Sequence, residues 1–382
     1  MSVLHDTLRR YVDDRTVPGA VGLVARGRDV DVVAVGAVDV EGSAPMERDS
    51  IFRIASITKP VTAAAVLMLV EEGRIALDTP VGDWLPELAE PSVVRTPGAA
   101  VGDVVAADRP ITVEDLLTSR TGWGFPQDFS LPAVQALFAV QKDGRALQDW
   151  PDADTWLGLL ARVPMLHQPG EAWLYGTSSD LQGILVARVS GRTLPEFLAE
   201  RIFEPLGMRD TGFAVPEAQR HRFTSFYTPA PDGTPTLADP PDGDWTRVPR
   251  FHSGGGGLVS TADDYLAFAR MLLNGGEGDG GRRLLTPNSV ARMTTDHLTA
   301  AQRAAVPLFL EGQGWGYGGQ VDVSRADPWN VPGRYGWVGG TGTTAHLVPA
   351  TGTVTILLTQ VGMVSPTPTP LMRDFWRSTA AG

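Results

Sequence analysis

The sequence predicts a mixed helix-and-sheet fold: a sheet assembled from both ends of the chain, with a helical lobe inserted between them. Three observations predict it. Short apolar runs of strand character cluster early, at residues 20–25, 30–35 and 51–55. From about Pro80 such runs become rare and helical spacing dominates. Strand and turn signals return after the glycine run 254–257, at residues 315–318, 345–348 and 353–359.

The elements follow in order. Residues 1–6 read as an amphipathic helix start, with Leu4, Leu8, Tyr11 and Val12 at helical spacing and Pro18-Gly19 ending the element. The runs 20–25 and 30–35 form two strands joined by a turn at Gly27. Residues 51–55 form a short strand leading into a helix that starts near Ser56 and continues through Ala63, Val66, Leu67 and Val70. Much of 91–109 reads as irregular. Thr112, with Asp115 three residues on, is close to a capping box for a helix holding Leu116 and Leu117. Residues 156–163 and 180–189 look helical. The stretch 229–249, rich in Pro, Asp and Gly, reads as a long surface loop. Thr261 with Asp264 opens an amphipathic helix through Leu266, Ala269, Met271 and Leu272, and a last helix begins near Pro370. The expected parts are residues 1–80 and 251–382 for the sheet domain and 81–250 for the helical domain, with a cleft at their boundary.

Composition narrows the function. A chain of 382 residues with 43% hydrophobic and 20% charged residues describes a soluble globular protein with a sizeable core. The formal charge of −12 argues against nucleic acid or an anionic membrane as partner. Cysteine is absent, which excludes disulfides, cysteine metal sites and thiol nucleophiles. The start lacks the basic and apolar segments of a signal peptide, and no run is long enough to span a bilayer, so the expected location is the cytoplasm. No metal or organic cofactor is implied. The oligomeric state is not readable.

The chemistry centres on Ser56-Ile57-Thr58-Lys59. Residues i and i+3 share a helix face, so the Ser56 hydroxyl and the Lys59 ammonium would point into the same space. That is the S-x-x-K arrangement of a serine nucleophile activated by a lysine. Only two lysines occur, Lys59 and Lys142. The plainer alternative makes Ser56 an N-cap and Lys59 a solvated first-turn residue. Against it, a cation at a helix N-terminus opposes the helix dipole. The G-x-S-x-G elbow is missing, with Gly176-Thr177-Ser178-Ser179-Asp180 the nearest approach. The six histidines, at 5, 167, 221, 252, 297 and 346, form no metal-ligand pair.

Further stretches carry a resemblance. Ser56-Ile57-Thr58-Lys59 resembles the first motif of the serine β-lactamase and penicillin-binding-protein superfamily. The segment from Pro169 to Thr177 resembles the one bearing that superfamily's tyrosine motif. The segment from Gly336 to Thr343, with Pro349 beyond it, resembles the third motif. Val17-Pro18-Gly19-Ala20, residues 116–122 and residues 256–264 are similar as well, so the likeness covers nearly the whole chain in order. It implies an α+β fold of the class C β-lactamase type, an antiparallel sheet flanked by helices plus a mainly helical lobe. The third motif reads Trp337-Val338-Gly339 where class C β-lactamases carry K-T-G, which resembles family VIII carboxylesterases. Tryptophan offers one N–H and an apolar surface in place of a cation. Thr177 replaces an asparagine amide. Both differences weigh against efficient β-lactam hydrolysis and toward a neutral ester.

The resemblance implies the roles. Ser56 is the acylated nucleophile, Lys59 keeps the site poised for proton transfer, and Tyr175 is the base in acylation and the acid toward the leaving alcohol. A free tyrosine titrates near 10, so it serves as a base near neutrality only with a cation close by. The backbone N–H groups of Ser56 and Gly340 form the oxyanion hole; the alternative for Gly340 is an ordinary turn. Trp337, Gly339, Thr177 and Trp123 are the expected substrate-binding positions, although Trp337 and Trp123 would serve equally as packing residues. The expected activity is a carboxylesterase acting on small or medium esters, so the resemblance implies a small-molecule ester or amide substrate as the partner. The alternatives are an acyltransferase, a D-amino-acid amidase or peptidase, a weak β-lactamase, or a noncatalytic binding member of the fold.

Overall fold

The computed structural model describes residues 2–142 and 146–380; Met1 of the expected first helix lies outside them. The strands, in chain order, are β1 (Gly19–Arg26), β2 (Asp29–Gly36), β3 (Phe52–Arg53), β4 (Ser92–Val94), β5 (Val104–Ala106), β6 (Phe226–Pro229), β7 (Pro235–Asp239), β8 (Val259–Ser260), β9 (Gly314–Trp315), β10 (Gln320–Val321), β11 (Tyr335–Gly339), β12 (Thr343–Val348) and β13 (Thr353–Thr359). Seven of them form one antiparallel sheet in the order β2-β1-β13-β12-β11-β10-β9. The sheet is thus built from both ends of the chain, as the strand signals require. β1 joins the two lots of strands, pairing Ala20 with Thr359 and Arg26 with Thr353 on one side and Gly19 with Gly36 on the other.

Burial explains the residue choice along β1. All but its last residue are buried, and its sequence GAVGLVA has no polar alternation. A strand covered on both faces needs apolar or small side chains throughout. On one face lie the terminal helices Val3–Asp13 and Pro370–Ala380, and a Cβ added to Gly22 would meet Leu8 Cδ1 at 2.7 Å. The helix Ala262–Leu273 packs on β1, β12 and β13. Its N-cap is Thr261, whose hydroxyl accepts from the Asp264 N–H.

Between the two lots of strands, helices predominate: Lys59–Glu71, Val113–Leu117, Pro132–Val140, Ala153–Leu160 and Thr177–Ser190. Lys59–Glu71 is buried along nearly its whole length and packs on Thr177–Ser190. Thr112 caps Val113–Leu117 through a complete capping box with Asp115. Among the described residues no helix is long and apolar enough to cross a membrane.

Four expectations are corrected. The chain reaches Ser56 in a 3₁₀ turn, Ala55–Thr58, and the α-helix begins only at Lys59. The expected strand 51–55 is reduced to Phe52–Arg53, which pairs with β8. The supposedly irregular stretch 91–109 contains the β4–β5 hairpin. The supposed surface loop 229–249 contains β7, paired with β6, and Asp239 at its end forms a buried ion pair with Arg53. Arg53 also donates to the Thr224 carbonyl at 2.6 Å and lies 4.0 Å above the Phe223 ring. Burial pulls its guanidinium down to about 10, with Asp239 opposing.

Candidate active site

The 3₁₀ turn aligns Ser56 with Lys59 more directly than an α-helix would, because residues i and i+3 eclipse in that geometry. Lys59 Nζ donates to Ser56 Oγ at 3.0 Å and to the Gly255 carbonyl at 2.7 Å. Ala55, just before Ser56, takes a left-handed conformation with φ of 44°. Such a conformation costs a non-glycine residue on the order of 1 kcal/mol and persists where surroundings impose it. Here Ile54 is held from both sides: its N–H donates to the Leu258 carbonyl at 3.0 Å, and its own carbonyl accepts from Thr343 Oγ1 at 2.9 Å.

Tyr175 arrives from the other side. Its backbone exchanges hydrogen bonds with Phe125, at 2.9 and 3.1 Å, and Gly176 then turns with φ of 101° into the helix Thr177–Ser190. The Tyr175 hydroxyl donates to Ser56 Oγ at 2.8 Å, and Lys59 Nζ lies 4.7 Å from the phenol ring centre. Three side chains from two distant segments therefore converge on one oxygen. Ser178, the serine of the near-miss elbow, is buried elsewhere, 3.2 Å from Thr121 Oγ1.

The third segment closes the site. Trp337 on β11 donates its indole N–H to the Tyr175 hydroxyl at 2.9 Å. It packs edge-on to Trp315, with ring centres 4.8 Å apart. Wall and packing residue, the two alternatives for Trp337, are both realised, and the hydrogen bond to Tyr175 is a third contact that the sequence did not suggest. The turn between β11 and β12 is tied to the serine loop by Thr341 Oγ1 donating to the Arg53 carbonyl at 2.6 Å, together with the Thr343 bond.

These groups border a cleft of about 440 Å³. Ser56, Lys59, Tyr175, Trp337 and Gly340 line it. A Cβ built on Gly340 would meet no protein atom within 4 Å, so its side faces open space. Gly339 does not line the cleft: a Cβ there would lie 2.5 Å from the Ile54 carbonyl oxygen, so glycine lets β11 approach the serine loop. Thr177 is also set back. It is fully buried and donates to Gln141 Oε1, and Gln141 borders the cleft in its place. Trp123 is absent from the wall; its ring is buried and its indole N–H donates to the Val163 carbonyl at 2.8 Å. Trp123 follows Thr121-Gly122 closely in sequence, but that proximity does not fix which way its ring points.

Sequence reasoning missed the aromatic side of the cleft and its buried acid. Phe125, Phe129, Phe138 and Phe309 form a wall, with Phe125 stacked on Phe138 at 4.7 Å and Phe309 5.0 Å from the Tyr175 ring. Phe125 and Phe129 precede the helix Pro132–Val140 that carries Phe138, while Phe309 comes from the distant helix Pro307–Leu310, and no periodic pattern marks them as one wall. Asp180 also borders the cleft and is buried. Burial raises its pKa above the ordinary 3.8, while Ser253, the Lys59 charge and the Gly255 N–H oppose the rise. Asp180 stands in the first turn of its helix, where an acid is ordinary, so nothing local in the sequence marked it. None of the six histidines lines this cleft.

A hydroxyl in contact with an ammonium and a phenol, at the edge of a largely apolar cleft, can be deprotonated and acylated without a histidine. The Beta-lactamase family model matches residues 4–369. Protein Rv1367c of Mycobacterium tuberculosis is 37% identical over 365 residues, covering 93% of this chain and 88% of that protein. Esterase EstB of Burkholderia gladioli is 34% identical over 327 residues, covering 80% of this chain and 75% of that protein. Among solved structures, EstCE1, described as a hydrolase with promiscuous acyltransferase activity, aligns over 99% of this chain and 97% of its own, with a TM-score of 0.81 and 25% identity. The chain belongs to the Beta-lactamase family and is an enzyme of the serine hydrolase and acyl-transfer kind.

Proposed function

We propose that the protein is a carboxylesterase that cleaves small or medium uncharged esters through an acyl-enzyme on Ser56. The observation that carries this reading is the double contact on Ser56 Oγ, from Lys59 Nζ at 3.0 Å and Tyr175 OH at 2.8 Å. In acylation Tyr175 acts as its phenolate, its own proton first released to solvent and its charge facing Lys59, and this oxygen takes the Ser56 proton as Oγ attacks the ester carbonyl. The carbonyl oxygen, now negative, is held by the Ser56 and Gly340 backbone N–H groups. Tyr175 then gives the proton to the departing alcohol, leaving the acyl group on Ser56. Water repeats the sequence in reverse: its proton passes to Tyr175 and on to Ser56 Oγ, and the carboxylic acid leaves. Lys59 holds a positive charge against the oxygens that become negative.

The apolar wall and Trp337 support an uncharged ester over a substrate whose carboxylate needs a cation in the third motif. Acyl transfer to an alcohol or amine is the second reading. Its support is the description of EstCE1 and the naming of a 28% identical Penicillium decumbens relative as Acyltransferase calJ. Release of p-nitrophenol from short-chain esters tests the first reading. Ser56→Ala is expected to abolish it, and Lys59→Ala and Tyr175→Phe to reduce it by roughly a thousandfold or more. Full activity in Ser56→Ala ends the assignment. Parallel assays with nitrocefin, D-amino-acid amides and added alcohols separate the alternatives.

A further inference from the structure

Asp180 carries a buried carboxylate that the reaction above does not use. It stands in the first turns of the helix Thr177–Ser190, and its oxygens are held by three neutral donors. Ser253 Oγ and the Gly255 N–H donate to Oδ1 at 2.6 and 3.0 Å, and Gln141 Nε2 donates to Oδ2 at 3.2 Å. An ionised carboxylate withdrawn from water is costly without a compensating charge. The cation whose field acts on it is Lys59. The connection is also covalent in its path: Gly255 gives its N–H to Asp180 and its carbonyl to Lys59 Nζ, at 2.7 Å. On the other side, the Thr177 hydroxyl donates to Gln141 Oε1 while the Gln141 amide nitrogen donates to Asp180. Thr177 lies two residues beyond Tyr175. One carboxylate thus ties the segment that receives Lys59 to the segment that carries Tyr175.

We propose that ionised Asp180 is a positioning residue: it fixes the Gly255 carbonyl on Lys59 Nζ and supplies the negative charge that keeps this ammonium facing Ser56 and Tyr175. The inference rests on the Ser56-Lys59-Tyr175 reading of the site. Asp180 faces Lys59 from the helix Lys59–Glu71; its other neighbours, Ser253, Gly255 and Gln141, are uncharged.

Asp180→Asn is the test, because asparagine keeps the size and an acceptor toward Ser253 and Gly255, and the Gln141 amide can turn to meet the new donor. The purified variant, checked for an unchanged circular dichroism spectrum, is expected to lose roughly tenfold to a hundredfold in kcat on p-nitrophenyl esters with KM little changed. A purely structural role would not produce the second expected result. As pH falls and the wild-type carboxyl becomes protonated, it is neutral like the amide, so the ratio of the two kcat values shrinks toward one. Equal kcat at neutral pH, or a ratio that stays constant with pH, overturns the inference. Should Asp180→Asn fail to fold, Ser253→Ala replaces it: losing the donor that stabilises the charged carboxylate moves the acid limb of kcat to higher pH, and an unmoved limb overturns the inference. A wild-type protein inactive on every ester would instead sink the proposed function.

Discussion

The indole N–H of Trp337 points at the Tyr175 hydroxyl from 2.9 Å, so the third motif contributes a hydrogen bond to the phenol as well as a wall. The contact is strongest while the phenol oxygen carries negative charge, the form in which Tyr175 serves as base. Trp337→Phe keeps most of the apolar surface and removes the donor. Its kcat on p-nitrophenyl esters is expected to fall roughly tenfold, the worth of one charge-assisted hydrogen bond. Unchanged kcat would reduce Trp337 to packing.

The Arg53–Asp239 pair anchors the strand that leads to Ser56. Arg53 is 3% exposed, and its carbonyl also receives Thr341 from the β11–β12 turn. Asp239→Asn removes the carboxylate paired with the buried guanidinium and leaves only the Asp244 charge acting on it. Breaking a buried pair in this way typically costs about 3–5 kcal/mol, so the urea midpoint should drop accordingly. A loss below about 1 kcal/mol would mean that the carbonyls of Thr224 and Pro240 hold the guanidinium without Asp239.

Acid should destabilise the protein through His346. This residue is buried beside Arg334, and burial first, then the Arg334 charge, holds it well below the ordinary 6.5. Its pKa is lower folded than unfolded, so below about 6.5 the unfolded chain binds the extra proton. The stability contributed by the neutral ring is present above that pH and is lost as pH falls, at up to about 1.4 kcal/mol per pH unit. Urea titrations of the wild type and His346→Gln between pH 7 and pH 5 should show a shallower pH slope in the variant. Identical slopes would contradict the account.

Legibility followed the range over which each feature is encoded. Ser56 and Lys59 lie within one turn, so spacing alone aligned them, and the 3₁₀ geometry only sharpened the alignment. The long strands β1, β2 and β13 were plain in their apolar runs. β4, β5 and β7 were not, because they are short or exposed and carry loop-like residues such as Pro235 and Asp239. Tyr175 and Gly340 were reached through resemblance, since no local pattern links them to Ser56. Phe309, Gln141 and Asp180 depend on which segments meet in space, and their residue types alone say little.

The central claim is that Ser56 Oγ carries the acyl group during turnover. It is tested most directly by mass spectrometry of the protein after brief exposure to a panel of esters, amides and lactams, followed by peptide mapping. The account predicts that esters add the mass of their acyl group to the peptide containing Ser56, and that Ser56→Ala shows no such adduct. Ester turnover with the adduct on a different residue, or an adduct that persists in Ser56→Ala, would contradict it.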